Sequence, residues 1–311
     1  MRLETGADYR QRISLDVCGP LMAHIPPLVA GSLRMAIEGA SVAQGRPPGW
    51  LERASDIRFV GYDHDGDDTL IALQLPRIGE AAEELYRQRD LWDTRPEPED
   101  TAFEVFRRVV DEVSIENGES GWYDRQLLTK LSRIGRVLGR EIVAIRLGRA
   151  TTMNRRVADT AAQLGTITPA SRQARVSGVL AMIRHSTRSF TLRLQDGEEV
   201  HGVMESTESV GLLREFFGKP VVVMGRAVYR PSGRLLRMDA AGIEDGRNAP
   251  TLFSTVPAAS AEGPAVAGRL KVSETGKRGV SAFFGTWPGG ETDAEMSALL
   301  DEIRGGMASS R

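Results

Sequence analysis

The sequence predicts an α+β protein with three parts: an N-terminal α+β domain over residues 1–165, a small five-stranded β-barrel over 170–245, and a flexible C-terminal tail with a short helix. Three observations predict this organisation. The length of 311 residues corresponds to about two domains at roughly 150 residues each. Helical and strand-like periodicities alternate through the first part, and a β-β-β-α-β-β order fills the second.

Composition bounds the class of protein. Hydrophobic residues make up 41% and charged residues 26%, which is enough apolar material for folded cores. No apolar run approaches the ~18 residues of a membrane span, and the N-terminus lacks an apolar signal segment. A single cysteine, Cys18, cannot form an internal disulfide. We therefore expect a cytoplasmic protein with no membrane partner.

The net charge is −2, but the charged residues are distributed unevenly along the chain. Residues 1–100 carry 11 basic and 18 acidic side chains, residues 101–169 carry 11 and 8, and residues 170–245 carry 11 and 9. This asymmetry can steer an anionic partner towards the middle of the chain. It is equally consistent with a solvated surface.

The first part of the N-terminal domain contains patterns typical of strands and patterns typical of helices. Alternating apolar residues predict strands over 11–18, 57–62 and 69–75. The two prolines Pro26 and Pro27 are predicted to open a helix. The acidic stretch between the last two strands is predicted to be a hairpin turn, because Asp-Gly favours positive φ. The later elements are predicted as a helix over 77–89, a helix after a capping box of Thr101 and Glu104, a strand over 141–147 and a helix over 151–164.

An amphipathic helix over 124–138 is the most functional-looking polar feature of this domain. Apolar residues follow one face, and basic residues cluster on another. Such a basic row can contact phosphates in a nucleic acid, and it can equally be a solvated helix face. The apolar residues are Leu127, Leu128, Leu131, Ile134 and Leu138, and the basic ones are Arg125, Lys130, Arg133, Arg136 and Arg140.

The second domain has a clear strand order. Glycines inside two of its strands, Gly178 and Gly225, are typical of bends in a small barrel. The order resembles an OB-fold, a five-stranded barrel with a helix between its third and fourth strands, and an SH3-like barrel is the alternative. Strands are predicted over 175–184, 188–195, 200–204, 220–229 and 234–243, with a short helix over 207–217.

The resemblance to an OB-fold implies a second nucleic-acid surface, in which basic residues and stacked aromatics bind single strands. Phe190 alternates with core residues, so we expect it to be buried. The candidate binding residues of the barrel are Arg184, Arg188, Arg193, Tyr229, Arg230, Arg234 and Arg237.

The C-terminal segment separates into a linker over 246–280 and an apolar tail over 281–305. The linker consists mainly of small residues and has few aromatic ones, so it cannot easily form a buried core. The tail combines an aromatic cluster with a capped amphipathic helix, which favours docking as a helix in a groove. Its candidate partner-binding residues are Phe283, Phe284, Trp287, Pro288, Met296, Leu299, Leu300 and Ile303.

This tail resembles the C-terminal tails of bacterial antitoxin-type proteins, which are encoded beside a toxin. The resemblance implies that the tail wraps a toxin-like partner enzyme and blocks its active site. It covers about two dozen of the 311 residues, and the rest of the chain is larger than a typical antitoxin. The matching residues are Phe284-Gly285-Thr286-Trp287-Pro288-Gly289, Glu291-Thr292-Asp293 and Leu299-Leu300.

Motifs for catalysis, cofactors or metals are not apparent in the sequence. It contains no phosphate loop, no H-E-x-x-H and no G-x-S-x-G. The acidic cluster at 63–68 lacks the glycine and glutamate of an EF-hand loop. The first hypothesis is therefore a non-catalytic, antitoxin-like or defence-locus protein, and the second is a nucleic-acid-binding protein. The third is an enzyme with an unrecognised site in residues 1–165, where Trp50, Trp92 and Trp122 lie.

Overall fold

The computed structural model describes residues 1–43, 45–86, 96–184, 187–205, 213–247 and 255–259. It confirms the α+β class with a barrel: a helix-covered sheet is followed by a second, closed sheet. Both sheets lie within one compact unit, Met1–Pro264, whereas the unit Ala265–Arg311 lies outside the described residues. No described helix is both long enough and apolar enough to cross a membrane.

The N-terminal sheet is antiparallel throughout, in the order β2-β3-β1-β4-β5. Its inner face packs on helices through a core that includes Leu3, Phe106, Leu127 and Ile145. The strands are β1 Arg2–Thr5, β2 Arg58–Asp65, β3 Asp68–Gln74, β4 Ile142–Leu147 and β5 Thr151–Asn154. The helices are α1 Leu15–Glu38, α2 Gly49–Ala54, α3 Ile78–Ala81, α4 Ala102–Ser114, α5 Arg125–Arg133 and α6 Arg155–Ile167.

The first helix corrects two predictions. The stretch 11–18 is not a strand, because α1 already begins at Leu15, and the two prolines lie inside α1 rather than at its start. Pro26 and Pro27 are exposed, so the carbonyls that lose their helical donors can be hydrated, while the buried face of Ile25 and Leu28 holds the helix on the core. Tertiary burial has here overridden a local helix breaker.

The structure tests four other predictions for this domain. The hairpin between β2 and β3 is confirmed, with Gly66 in the turn at a φ of 63°. The capping box is also confirmed, since the Thr101 N–H donates to Glu104 at 2.7 Å. The helix predicted over 151–164 is wrong at its start, because residues 151–154 form the edge strand β5. The helix predicted over 77–89 is reduced to α3 and a 3-10 turn at Glu83–Leu85, and residues 87–95 lie outside the described residues.

The barrel has the predicted strand order and is closed. Its strands are β6 Arg172–Arg184, β7 Ser189–Arg193, β8 Glu199–Met204, β9 Pro220–Tyr229 and β10 Leu235–Asp245. Neighbours run in the order β10-β8-β7-β6-β9, and β9 pairs with β10 to close the ring. The β8–β10 pair is parallel and the others are antiparallel. This five-stranded closed barrel is compatible with an OB-like architecture. Of the short helix predicted over 207–217, the described part holds a 3-10 turn at Arg214–Phe216.

Two glycines explain how the barrel strands approach each other. A Cβ on Gly225 would lie 2.1 Å from the carbonyl oxygen of Asp239, and one on Gly178 would lie 2.9 Å from that of Arg193. Both distances are too short for a side chain, so glycine is required where these strands approach their neighbours closely. The predicted bends at these two positions stay a prediction.

Candidate nucleic-acid interface

Helix α5 carries the first candidate surface, and its start is fixed by Asp124. One carboxylate oxygen of Asp124 accepts the backbone N–H of Leu127 at 3.0 Å and caps the helix. The predicted apolar face is confirmed, since Leu127, Leu128 and Leu131 are buried. A 3-10 turn at Ile134–Arg136 continues the helix, so the basic residues beyond it stay on the same side of the domain.

Four arginines of the predicted basic row face solvent. Among the described residues, none of the four forms an ion pair with a carboxylate. Most arginines elsewhere do: Arg108 contacts Asp100 at 2.8 Å, for example. Four unneutralised guanidinium groups along one edge create a local positive field. They are Arg125, Arg133, Arg136 and Arg140, and we call them the α5 arginine row.

Lys130, the fifth predicted member, lies apart from this row. It is half-buried against α1, with its Nζ 3.9 Å from the position that a Cβ on Gly31 would take. Burial lowers the pKa of Lys130, Asp124 acts in the opposite direction, and the charges of Arg133 and Arg34 lower it further.

The barrel residue Arg237 is an internal residue in this fold. Its side chain is only 8% exposed, with Nη1 3.4 Å from Asp124 and Nε 2.7 Å from Asp239. Asp124 also accepts the Ser41 hydroxyl at 2.6 Å, so one carboxylate joins the N-terminal domain, the cap of α5 and the barrel. Neighbouring Leu236 packs into the N-terminal core. Arg237 therefore holds the barrel in place and is not accessible to a nucleic acid.

Both candidate aromatics of the barrel are buried. Phe190 is fully buried, as predicted. Tyr229 is 1% exposed, and its hydroxyl accepts from Arg172 Nε at 3.0 Å and donates to the Ala258 carbonyl at 3.2 Å. Neither ring is free to stack on a base. The barrel surface therefore carries positive charges, but these two aromatic residues cannot stack on the bases of a single strand.

The remaining barrel arginines occupy different environments. Arg230 and Arg234 share Glu119 of the N-terminal domain at 3.7 and 3.6 Å. Arg188 lies 3.7 Å from Glu38 at the end of α1, and Arg184 is half-buried. Arg193 is exposed and has no ion-pair partner within the described part of the chain. Three of these arginines thus contact the N-terminal domain, although the Arg234 side chain is still 73% exposed.

A cleft of about 620 Å³ lies between the end of α1 and strands β7 and β8. Its volume is within the range of small-molecule sites. His201 bonds Thr191 across β7 and β8 at 3.1 Å, and the Nε of Arg230 is buried with no partner among the described groups. The polar and aromatic residues lining the cleft include Glu38, Trp122, Arg184, Glu199, His201 and Arg230.

The sequence did not predict this cleft or the Asp124–Arg237 contact. The two residues of the contact lie 113 positions apart, and neither feature is marked by a local sequence pattern. The candidate tail residues, Phe283 to Ile303, and Trp92 lie outside the described residues. In the part of the chain that the structure describes, no group of three or more His, Cys, Asp or Glu side chains is placed to hold a metal ion.

Comparison of the chain with protein-family models, with curated proteins and with solved structures found no match. The site is therefore argued from the residues of this chain alone.

Proposed function

We propose that this protein binds nucleic acid, with the α5 arginine row contacting the phosphates. The observation that carries the proposal is the exposure of four arginines along α5 and the residues that follow it, none of which forms an ion pair among the described residues. Elsewhere the fold neutralises most of its arginines, so an unneutralised row fits an anionic partner better than a general surface.

The geometry of the helix fits a phosphate backbone. Eight residues separate Arg125 from Arg133, which is about 12 Å along the helix axis. One DNA strand carries a phosphate about every 3.4 Å of duplex axis, so several phosphates lie within reach of the row. Contacts of this type position a protein without reading bases, and we therefore expect weak sequence preference.

The barrel supports the same function in a secondary role. Its strand order, with a parallel β8–β10 pair and a helical turn before β9, favours assignment as an OB-fold, a class that includes nucleic-acid-binding barrels. The face of β7 and β8, which OB-folds use for ligands, is here partly covered by the end of α1. A long strand cannot lie flat on that face, so we assign the main contact to α5 and a peripheral one to Arg193.

Salt-dependent binding tests the proposal. Fluorescence anisotropy of labelled single-stranded and duplex oligonucleotides would be measured over a range of salt concentrations. The double variant Arg133→Gln/Arg136→Gln is expected to reduce the slope of log affinity against log salt by roughly 1.8 on duplex DNA, because each lost phosphate contact removes about 0.9.

The matched control is Arg247→Gln, which removes one exposed positive charge that is already paired with Asp245 at 2.5 Å. This control is expected to leave the slope unchanged. Binding that does not depend on salt, or an equal loss in the control and the α5 variant for each charge removed, would contradict the assignment to α5.

We propose as a second candidate that the chain neutralises a toxin-like partner enzyme through residues 281–305. The support is the sequence of that segment: an aromatic cluster, a break at Pro288 and a capped helix with Leu299 and Leu300 on one face. The two functions are compatible, since an autoregulating antitoxin binds both its toxin and its operator.

Co-expression with the product of the neighbouring reading frame tests this second candidate. The wild-type chain is expected to suppress growth inhibition and to co-purify with that product. Trp287→Ala/Leu300→Asp is expected to lose both properties while keeping its thermal unfolding transition. Suppression by the double variant at the wild-type level would reject the role of the tail.

A further inference from the structure

The edge strand β2 leaves an apolar surface open to solvent. Phe59, Val60 and Tyr62 are 59%, 63% and 71% exposed, which makes them three of the most exposed large apolar side chains among the described residues. The strand lies at the end of the sheet order, and among the described strands it pairs only with β3. An exposed apolar edge of this kind is a template for pairing with another strand.

A β-bulge places the two aromatic rings on the same side of this edge. The register shifts between Phe59 and Gly61, so that Phe59 stands opposite Leu73 and Tyr62 stands opposite Ile71. Leu73 and Ile71 are two residues apart and therefore share one face. Ile71 is buried in the core, so the two aromatic rings lie on the same, core-facing side of the sheet. They stand on the edge strand, where this side is exposed to solvent.

The segment Arg58–Asp63 of β2 is complementary to itself in the antiparallel direction, and Asp65, which would face Asp56 in the same register, contacts Arg2. An antiparallel copy centred between Val60 and Gly61 sets Phe59 opposite Tyr62 and Arg58 opposite Asp63. Both pairs occur twice, because a two-fold axis repeats each contact. Aromatic pairs and opposite charges are favourable cross-strand neighbours. The present contact of Arg58 is an exposed one with Asp56 at 2.9 Å, which is easily exchanged.

We propose that strand β2 is the interface for a second copy of this chain, and that two N-terminal sheets join edge to edge through antiparallel β2 strands. We assign the pairing strand to a second copy of this chain because Arg58 and Asp63 of one copy would face Asp63 and Arg58 of the other. Joining the strands would satisfy backbone groups at the open edge and would cover Phe59 and Tyr62 with the same residues of the other copy.

The oligomeric state of the full-length chain tests this inference. Analytical ultracentrifugation over a wide range of protein concentration is expected to show a monomer–dimer equilibrium. Tyr62→Lys is expected to weaken the dimer roughly tenfold or more, because two aromatic cross-strand pairs are lost. The matched control is Ile115→Lys, another apolar side chain that is 72% exposed, and it is expected to leave the equilibrium unchanged.

Charge reversal tests the register independently of the aromatic residues. Arg58→Asp and Asp63→Arg should each weaken the dimer, since each places like charges opposite one another, and the double variant should restore it. Both sites are exposed, and thermal unfolding of each variant checks that the fold is kept. A wild-type chain that stays monomeric, a dimer insensitive to Tyr62→Lys, or failure of the double variant to restore association would overturn the proposal.

Discussion

The arginines of α5 and those of the barrel differ in what surrounds them. In the α5 row, Arg133 and Arg136 end in solvent without ion-pair partners among the described residues. In the barrel, Arg237 lies between two carboxylates and is nearly inaccessible. The sequence assigns both sets to nucleic-acid binding, since it shows only residue type and spacing. The comparison teaches that a positive charge becomes a binding residue only where the fold leaves it unneutralised.

The largest effect is expected for Arg237→Ala. This change leaves buried Asp124 without its ion-pair partner and Asp239 with only its contact to Arg226 at 3.5 Å, and breaking a buried pair in this way costs about 3–5 kcal/mol of the free energy of unfolding. Urea denaturation measures the loss. Arg133→Ala in the exposed row is the control and is expected to stay within about 0.5 kcal/mol of the wild type. Equal stability of the two variants would show that the contrast between the regions is wrong.

An intermediate effect is expected when arginine is replaced by lysine in each region. Arg237→Lys keeps the charge but cannot reach two carboxylates with separate planar N–H groups, so we expect a loss of about 1–3 kcal/mol in stability. Arg133→Lys keeps a phosphate-binding cation in solvent, so both the stability and the salt slope of nucleic-acid binding should be close to those of the wild type. A strong loss of binding on Arg133→Lys would instead indicate bidentate recognition at that position.

The smallest effect is expected at Lys130, which is half-buried and so lies between the exposed α5 arginine row and buried Arg237 in its environment. Its pKa is lowered mainly by burial, so the folded state holds the charged lysine less favourably than the unfolded state does. The resulting destabilisation is fully present at neutral pH and is relieved as the pH rises through the lowered pKa. Lys130→Met should therefore be slightly more stable than the wild type at pH 7, and the advantage should shrink towards pH 10. An advantage that grows with pH would contradict the assigned cause.

Local sequence patterns predicted the parts of the fold that depend on near neighbours. The Thr101 capping box, the apolar face of α5 and the hairpin before β3 rest on contacts within a few residues, and the structure confirms all three. The path of α1 through Pro26 was not predictable in this way. Its stability comes from the face that it buries against distant elements, which no local signal carries.

The sequence by itself determined the α+β class and the order of the barrel strands, because the periodicity of apolar residues encodes them. Only the tertiary structure decided which polar groups are accessible. Arg237 alternates along its strand like a surface residue, yet it meets a carboxylate 113 positions away in the chain and is buried. The physical reason is that neutralising a charge or covering a ring depends on groups brought together by folding, and those groups are not neighbours in the sequence.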